Sequence, residues 1–170
     1  MVLEHLTRLD HRLFLKSQGH RHWQRRARLA RWVSRTGDGP PYALLGLLLW
    51  SSGQPALQGY VQQALQAFAW ELPCYLLLKQ LFRRRRPAVA LPQARVFITP
   101  ADTFSFPSGH TAAAFVLLTL LWLQAGFLAL WLLPWALLVG WSRVWLGVHF
   151  PGDIIAGIAL GASAALLAGT

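Results

Sequence analysis

The sequence has little of what small secreted domains and repeat proteins depend on. It contains one cysteine among 170 residues, Cys74, so the chain forms no internal disulfide. Cys74 lies in an apolar stretch, where we expect a buried side chain without a chemical role. No internal repeat is visible, and the first residues lack the apolar run of a cleavable signal peptide. The length fits one domain.

Acidic residues are also scarce. Six Asp and Glu stand against 16 Lys and Arg, which gives a formal net charge of +10. Such an excess is typical of proteins that bind nucleic acid or anionic lipid. Because 55% of the residues are hydrophobic and several apolar runs approach bilayer-spanning length, the membrane setting favours anionic lipids as partners and argues against nucleic acid.

Two long stretches, residues 111–142 and 154–170, contain no ionisable side chain. We therefore predict an all-α, polytopic membrane bundle of about five transmembrane helices plus an N-terminal amphipathic surface helix. The predicted apolar segments are residues 42–50, about 56–82, about 109–124, 127–146 and 151–168. The first is short for a crossing, which takes about 20 residues, so the sequence leaves open whether Tyr42–Gly53 spans the bilayer.

Residues 1–35 are basic, and leucines recur there at helical spacing. We predict that this segment lies on the membrane surface, with arginines near lipid phosphates and apolar groups, among them Trp23 and Ala27, in the acyl boundary. Gly19 is a candidate break between two helical parts. Residues 36–170 would then form the membrane-embedded domain.

The ionisable residues from Lys79 onward are expected to meet at one membrane surface. If the last three apolar segments form antiparallel hairpins, His110 begins one, Arg143 ends the next and Asp153 begins the last. The end of the 56–82 helix brings Lys79 and Arg86 to the same face. Scattered charges in a five-helix bundle would not converge in this way by default.

The chemistry of this cluster is anion chemistry. Lys79, Arg86 and Arg143 supply fixed positive charge and donors that suit phosphate oxygens. Ser108 and Gly109 open a helix, whose first N–H groups point at any anion placed there. Together these residues predict a site for a phosphoryl group.

Two histidines and an aspartate complete the predicted site. His149 precedes Asp153 by four residues across a Pro-Gly turn, so the carboxylate can hold one imidazole nitrogen and leave the other free. A neutral, oriented imidazole can attack phosphorus. His110 could then protonate the leaving oxygen, which is typically worth about 10²–10⁴-fold in rate.

These residues fall into three ordered patterns. Lys79 with Arg86-Pro87 has the form K-x6-R-P, residues 107–110 read P-S-G-H, and Ser142-Arg143 with His149 and Asp153 has the form S-R-x5-H-x3-D. The combination resembles the signature of the type 2 phosphatidic acid phosphatase superfamily, which includes vanadium haloperoxidases and soluble acid phosphatases. The resemblance covers Lys79 to Asp153 without departure at a motif position.

The resemblance implies a role for each matching residue. His149 would be the nucleophile of a phosphohistidine intermediate, Asp153 would orient it, and His110 would be the general acid. The phosphoryl oxygens would be held by Lys79, Arg86, Ser108, Gly109 and Arg143. No metal or other cofactor is implied, since the cations stabilise the charge. Arg83, Arg84 and Arg85 are interpreted as topology signals or headgroup contacts.

The predicted function is therefore hydrolysis of a lipid phosphate by an integral membrane enzyme. Undecaprenyl diphosphate, phosphatidylglycerophosphate and phosphatidic acid are the candidate substrates. A vanadate-dependent haloperoxidase and a non-catalytic lipid-binding protein are the alternatives, and the sequence carries no signal of oligomeric state.

We expect a multi-pass protein of the bacterial cytoplasmic membrane. With five crossings, the N-terminus and the site share a side, and the positive-inside rule makes that side cytoplasmic. Many bacterial relatives of such a family instead face the periplasm, so the side stays open at this stage.

Overall fold

The computed structural model describes residues 2–169, with side chains from residue 4 onward. Within this range the secondary structure is helical, apart from one isolated bridge between Arg85 and Phe104. The elements are α1 Val2–Gln18, α2 Trp23–Arg35, α3 Gly39–Ser51, α4 Pro55–Phe82, α5 Pro87–Ala90, α6 Gly109–Ala125, a 3₁₀ segment Gly126–Trp131, α7 Leu133–Trp145 and α8 Pro151–Ala168.

Helices α6 and α8 form the centre of the bundle, and α4 and α7 flank them. The two central backbones approach closely because α8 turns Gly157 and Gly161 toward α6. A β-carbon at position 157 would lie 2.6 Å from the carbonyl oxygen of Ser108, and one at position 161 would overlap the carbonyl oxygen of Ala112. Small residues at such a crossing let membrane helices pack through their backbones.

Apolar side chains of α6 hold the flanking helices. One buried cluster joins Leu120 of α6 to Ala67 of α4 and Ala165 of α8. A second joins Phe115 of α6 to Val139 of α7. The central helix is therefore fixed on three sides, and its first turn, which carries His110, has a defined position.

The outer surface of the bundle is apolar. Large side chains such as Leu47, Leu77 and Trp131 are exposed, which is expected where a helix faces lipid. Among the described residues, two stretches are long and apolar enough to cross a bilayer, Gly109–Trp131 and Pro151–Ala168. The count of five crossings stays a prediction, because α3 has 13 residues, which is about 20 Å of helix.

The prediction that Cys74 is buried was wrong, since this side chain is exposed. The inward face of α4 is defined by residues four or eight positions apart, among them Ala67, Glu71 and Lys79, all of which are buried. Cys74 falls between these positions and points away from the bundle.

The N-terminal segment forms two helices broken near Gly19, as predicted, and part of it packs on the bundle. Leu6 and Leu13 are exposed, as a lipid-facing stripe would be. Trp23 and Ala27 were predicted to face lipid, and this was wrong: they are buried, and the indole Nε1 of Trp23 donates to the carbonyl of Trp145, at 3.2 Å. The division at residue 35 into two domains stays a prediction.

The glycine crossing gives a test of the packing. Replacing Gly161 with Ala forces a methyl group against the α6 backbone, which no rotamer change can relieve, so we expect a loss of about 1–3 kcal/mol of unfolding free energy. Thermal unfolding in detergent measures it. Gly59→Ala is the matched control, because nothing lies within 4 Å of its added carbon, and equal melting temperatures for the two variants would contradict the close crossing.

Candidate active site

Five helix ends converge on one face of the bundle. Helices α4 and α7 end there, α6 and α8 begin there, and α3 begins there after the turn at Asp38. The starts of α6 and α8 are tied directly, because the backbone N–H of Ser108 donates to the carbonyl of Asp153, at 3.0 Å. The converging helix ends bring all eight predicted site residues into one cluster. Antiparallel hairpins of the last three apolar segments were expected to do this.

Three buried cations belong to this cluster. Lys79 comes from the last turn of α4, Arg86 from the residue before α5, and Arg143 from the last turn of α7. Arg86 is fixed by the carbonyls of Asp102, 2.9 Å from its Nε, and Val148, 2.6 Å from its Nη1. Arg143 donates from Nη1 to the hydroxyl of Ser34, at 2.6 Å. Its Nε is buried without a partner among the described residues, so the cluster retains a free donor.

Asp102 is the carboxylate that joins two of these cations, Lys79 and Arg86. Its carboxylate accepts from Lys79 Nζ at 2.8 Å, from Tyr75 at 3.0 Å, and from Arg86 Nη2. Burial alone would raise the pKa of Asp102, but the hydrogen bonds and charges of Lys79 and Arg86 lower it to about 2. The Asp102 side chain is still 40% exposed. A phosphoryl group bound to Lys79 and Arg86 must therefore take over donors that Asp102 now occupies.

The first turn of α6 supplies backbone donors beside the cations. Ser108 is the residue before the helix, and among the described residues no side chain caps the helix start. The Ser108 hydroxyl accepts from Thr111 Oγ1, at 2.9 Å. Gly109 lies against the Tyr75 ring, where a β-carbon would be 3.0 Å from a ring carbon. Its lack of a side chain avoids a clash with this ring, and the N–H groups of an uncapped helix start can bind an anion.

His149 lies at the centre of the cluster, and its side chain is 4% exposed. Its Nε2 is 3.5 Å from Arg86 Nη1. Its Nδ1 is 3.4 Å from Asp153 Oδ2, but the alignment is too poor for a formed hydrogen bond, and Nδ1 has no partner within the described range. Burial lowers the pKa of His149 to about 4, with Arg143 and Arg86 acting in the same direction and Asp153 opposing them. The ring is therefore neutral at pH 7.

His110 is held by a carboxylate that the sequence analysis did not assign to the site. Asp38, the residue before α3, lies 2.7 Å from His110 Nε2 through its Oδ1. Arg143 lies within electrostatic reach of both His110 and His149. The charge of Arg143 therefore acts on both imidazoles.

The interpretation of Arg84 as a topology or headgroup residue was wrong. Its guanidinium donates to Asp153 Oδ1, at 2.7 Å, and to Asp10 Oδ2, at 2.5 Å. Asp10, Asp38 and Asp102 were also missed as site residues. One sequence signal could have found them: the chain has only four aspartates, at positions 10, 38, 102 and 153, and all four contact a cation or histidine of this cluster.

Comparison with known proteins places this arrangement in a family. Residues 60–169 match the PAP2 superfamily. The chain is 35% identical over 122 residues to the putative undecaprenyl-diphosphatase YbjG of Escherichia coli, over 69% of this chain and 60% of the relative. It is 37% identical over 89 residues to the decaprenylphosphoryl-5-phosphoribose phosphatase of Mycobacterium tuberculosis, over 52% and 48% of the two chains. The chain spans about half the length of these curated relatives.

Solved structures show the same fold. LpxE of Aquifex aeolicus superposes with a TM-score of 0.79 at 28% identity, over 92% of each chain. The transmembrane PAP2-type phosphatidylglycerolphosphate phosphatase of Bacillus subtilis gives a TM-score of 0.74 at 23% identity, over 96% of this chain and 84% of that one. These likenesses confirm the all-α membrane bundle.

The lowered pKa of His149 predicts a pH dependence of stability. The folded value, about 4, lies below the ordinary value of 6.5, so between these pH values the unfolded chain binds more protons. Stability from this group is complete above about pH 6.5 and is lost as the pH falls toward 4, by up to about 1.4 kcal/mol per pH unit. Unfolding at several pH values should show a steeper acid loss for the wild type than for His149→Asn. Parallel curves would show that His149 is not held neutral.

Proposed function

The chain belongs to the PAP2 superfamily, and from that membership and the geometry of the site we propose that it is a membrane-embedded lipid phosphatase. It would hydrolyse the terminal phosphate of a lipid phosphate or diphosphate. The observation that carries the proposal is the neutral, buried His149 with its Nε2 3.5 Å from Arg86. A nucleophile beside a phosphate-binding cation is what phosphoryl transfer to a side chain requires.

In the proposed first step, His149 Nε2 attacks phosphorus and the bond to the leaving oxygen breaks. Asp153, beside Nδ1, stabilises the charge that develops on the ring. Lys79, Arg86 and Arg143, with the first N–H groups of α6, hold the phosphoryl oxygens where negative charge accumulates. His110 gives a proton to the leaving oxygen, so the lipid departs as a neutral alcohol or as a monophosphate.

In the second step, water attacks the phosphohistidine. His110, now the conjugate base, takes a proton from that water as the N–P bond breaks. Inorganic phosphate leaves, His149 is neutral again, and His110 is again protonated. Asp38 lies against His110 Nε2 at 2.7 Å and is placed to hold the orientation of that ring between these steps.

A long-chain lipid fits the surroundings of the site. A groove of about 680 Å³ runs between α3 and α4, and Gly39, Trp50 and Phe68 are among its lining residues. It begins at the turn that carries Asp38 and continues along the apolar helix faces. A polyprenyl or acyl tail could lie there while the headgroup reaches the cations.

The relatives favour a polyprenyl substrate. Two of them are a putative undecaprenyl-diphosphatase and a decaprenylphosphoryl-5-phosphoribose phosphatase. We therefore place an isoprenyl diphosphate first among the candidates, ahead of phosphatidylglycerophosphate and phosphatidic acid. The site would lie at a face of the bacterial cytoplasmic membrane.

The direct test is phosphate release from these three lipids by purified protein in detergent with EDTA. We expect release that persists in EDTA, is fastest for undecaprenyl diphosphate, and falls at least about 10³-fold in His149→Ala, because the nucleophile is lost. His20→Ala is the matched control, since His20 is exposed and far from the motifs in sequence. Release that is unaffected by His149→Ala, or absent for all three lipids, would contradict the proposal.

The arginine run offers a second test. Arg86→Lys keeps the charge but loses the planar donor set, so we expect kcat/KM to fall about 10–100-fold, the equivalent of one or two charge-assisted hydrogen bonds. Arg85→Lys, at the exposed neighbouring position, should retain wild-type kinetics. Equal losses in the two variants would mean that the run serves topology and not catalysis.

A further inference from the structure

We propose that Asp10 and Arg84 are positioning residues for the Asp153–His149 pair, so that the N-terminal helix α1 is part of the active site. The inference rests on the proposed phosphatase function. Asp10 lies outside the stretch that matches the PAP2 superfamily, residues 60–169, and the motif pattern gives Arg84 no role.

Asp10 is held between two parts of the site. Its side chain is 11% exposed, which is unusual for a carboxylate on an amphipathic surface helix. Oδ2 accepts from Arg84 Nη2 at 2.5 Å, and Oδ1 accepts from the backbone N–H of Gly152 at 2.8 Å. Because Gly152 directly precedes Asp153, Asp10 fixes the start of α8 as well as the arginine.

Arg84 joins the two carboxylates through different nitrogens. Nη1 donates to Asp153 and Nη2 to Asp10, and the guanidinium lies 4.4 Å from the centre of the Phe150 ring. Burial alone would lower the pKa of Arg84, but Asp153 and Asp10 together raise it. The cation is therefore permanently charged and fixed in one plane, which a lysine cannot reproduce.

This network determines how Asp153 faces His149. Oδ1 of Asp153 is occupied by Arg84, while Oδ2 accepts from the backbone N–H of Phe150 at 2.8 Å and lies 3.4 Å from His149 Nδ1. With one oxygen fixed by Arg84, rotation of the carboxylate is restricted and the other oxygen stays beside the imidazole. Arg84 also draws electron density from Asp153, which limits how strongly that carboxylate raises the basicity of His149.

The packing of α1 on the bundle rests on other side chains. Phe14 is fully buried and meets the Phe150 ring edge-on, with 5.3 Å between ring centres. Gln18 donates to the carbonyl of Val144, at 3.2 Å. The charged network meets this anchor at the Phe150 ring, but the Asp10 and Arg84 substitutions leave Phe14, Phe150 and Gln18 in place, so they can change kinetics in a helix that stays docked.

The network also predicts that removal of the Arg84 charge and removal of the Asp10 charge shift the pH dependence of kcat in opposite directions. The charged groups that face His149 are Asp153, Arg86 and Arg143, and none of them is altered in the variants. Removing the Arg84 cation leaves Asp153 a stronger partner of protonated His149, so the acid limb of kcat against pH should move up by about half a unit to one unit. Removing the Asp10 charge leaves Arg84 to Asp153 alone, which weakens the interaction of Asp153 with protonated His149, so the limb should move down.

The experiment measures phosphate release from undecaprenyl diphosphate, with full kinetics and pH profiles, for Asp10→Asn, Arg84→Gln, Arg84→Lys and the double variant Asp10→Asn/Arg84→Gln. We expect kcat to fall about 10–100-fold in Arg84→Gln and about 3–10-fold in Asp10→Asn, with KM little changed, because misplacement of a reacting group costs rate. The double variant should lose no more than Arg84→Gln alone, although its net charge is that of the wild type. Arg84→Lys should recover only part of the loss.

Arg12→Gln and Arg83→Gln are the controls, because both positions are exposed on the same segments and test a general charge effect. Wild-type kcat and pH profiles in Asp10→Asn and Arg84→Gln, whatever the melting temperatures, would overturn the inference, as would fully additive losses. If the wild-type protein releases no phosphate from any lipid, the proposed function fails instead. An active wild type with unaffected variants removes only the positioning role.

Discussion

The structure depends on the burial of positive charge at one end of a membrane bundle. An arginine or lysine withdrawn from water is costly unless it is paired and hydrogen-bonded. The chain has six acidic residues that could pair with buried cations, and all four of its aspartates lie in this cluster. Lys79 and Arg86 pair with Asp102, Arg84 pairs with Asp10 and Asp153, Asp38 lies against His110, and Arg143 donates to the hydroxyl of Ser34. Removing Asp102 would leave both Lys79 and Arg86 without their carboxylate partner, and Arg84 joins Asp10 of α1 to Asp153 of α8.

Asp153 and Asp102 differ in their exposure to solvent, and this difference suits the proposed chemistry. Asp153 is completely buried, and its carboxylate is held by Arg84 and by the backbone N–H of Phe150, whereas Asp102 keeps two cations occupied while it remains accessible to solvent. The first aspartate belongs to the permanent frame around His149. The second pairs with the two cations, Lys79 and Arg86, that the proposed mechanism assigns to the phosphoryl group.

Sequence reasoning found the helices and the eight motif residues because both depend on local signals: apolar runs, helix starts and fixed spacings. It missed Asp10, Asp38 and Arg84 because their partners lie 69 to 142 positions away in the chain, and no pattern relates such positions. The burial of Trp23 and the exposure of Cys74 were also not predicted. The reason is that burial of a side chain in a membrane protein depends on which helix face meets another helix. The scarcity of aspartate was the one compositional signal that pointed to the missing part of the site.

The most direct test of the account is a structure of the protein with orthovanadate, which takes the place of a phosphoryl group. We expect vanadium bonded to His149 Nε2, its oxygens held by Lys79, Arg86, Arg143 and the first N–H groups of α6, and the Asp102 carboxylate released from Lys79 and Arg86. Arg84 should keep Asp10 and Asp153. Vanadate bound away from His149, or Asp102 still joined to both cations in its presence, would contradict the central claim.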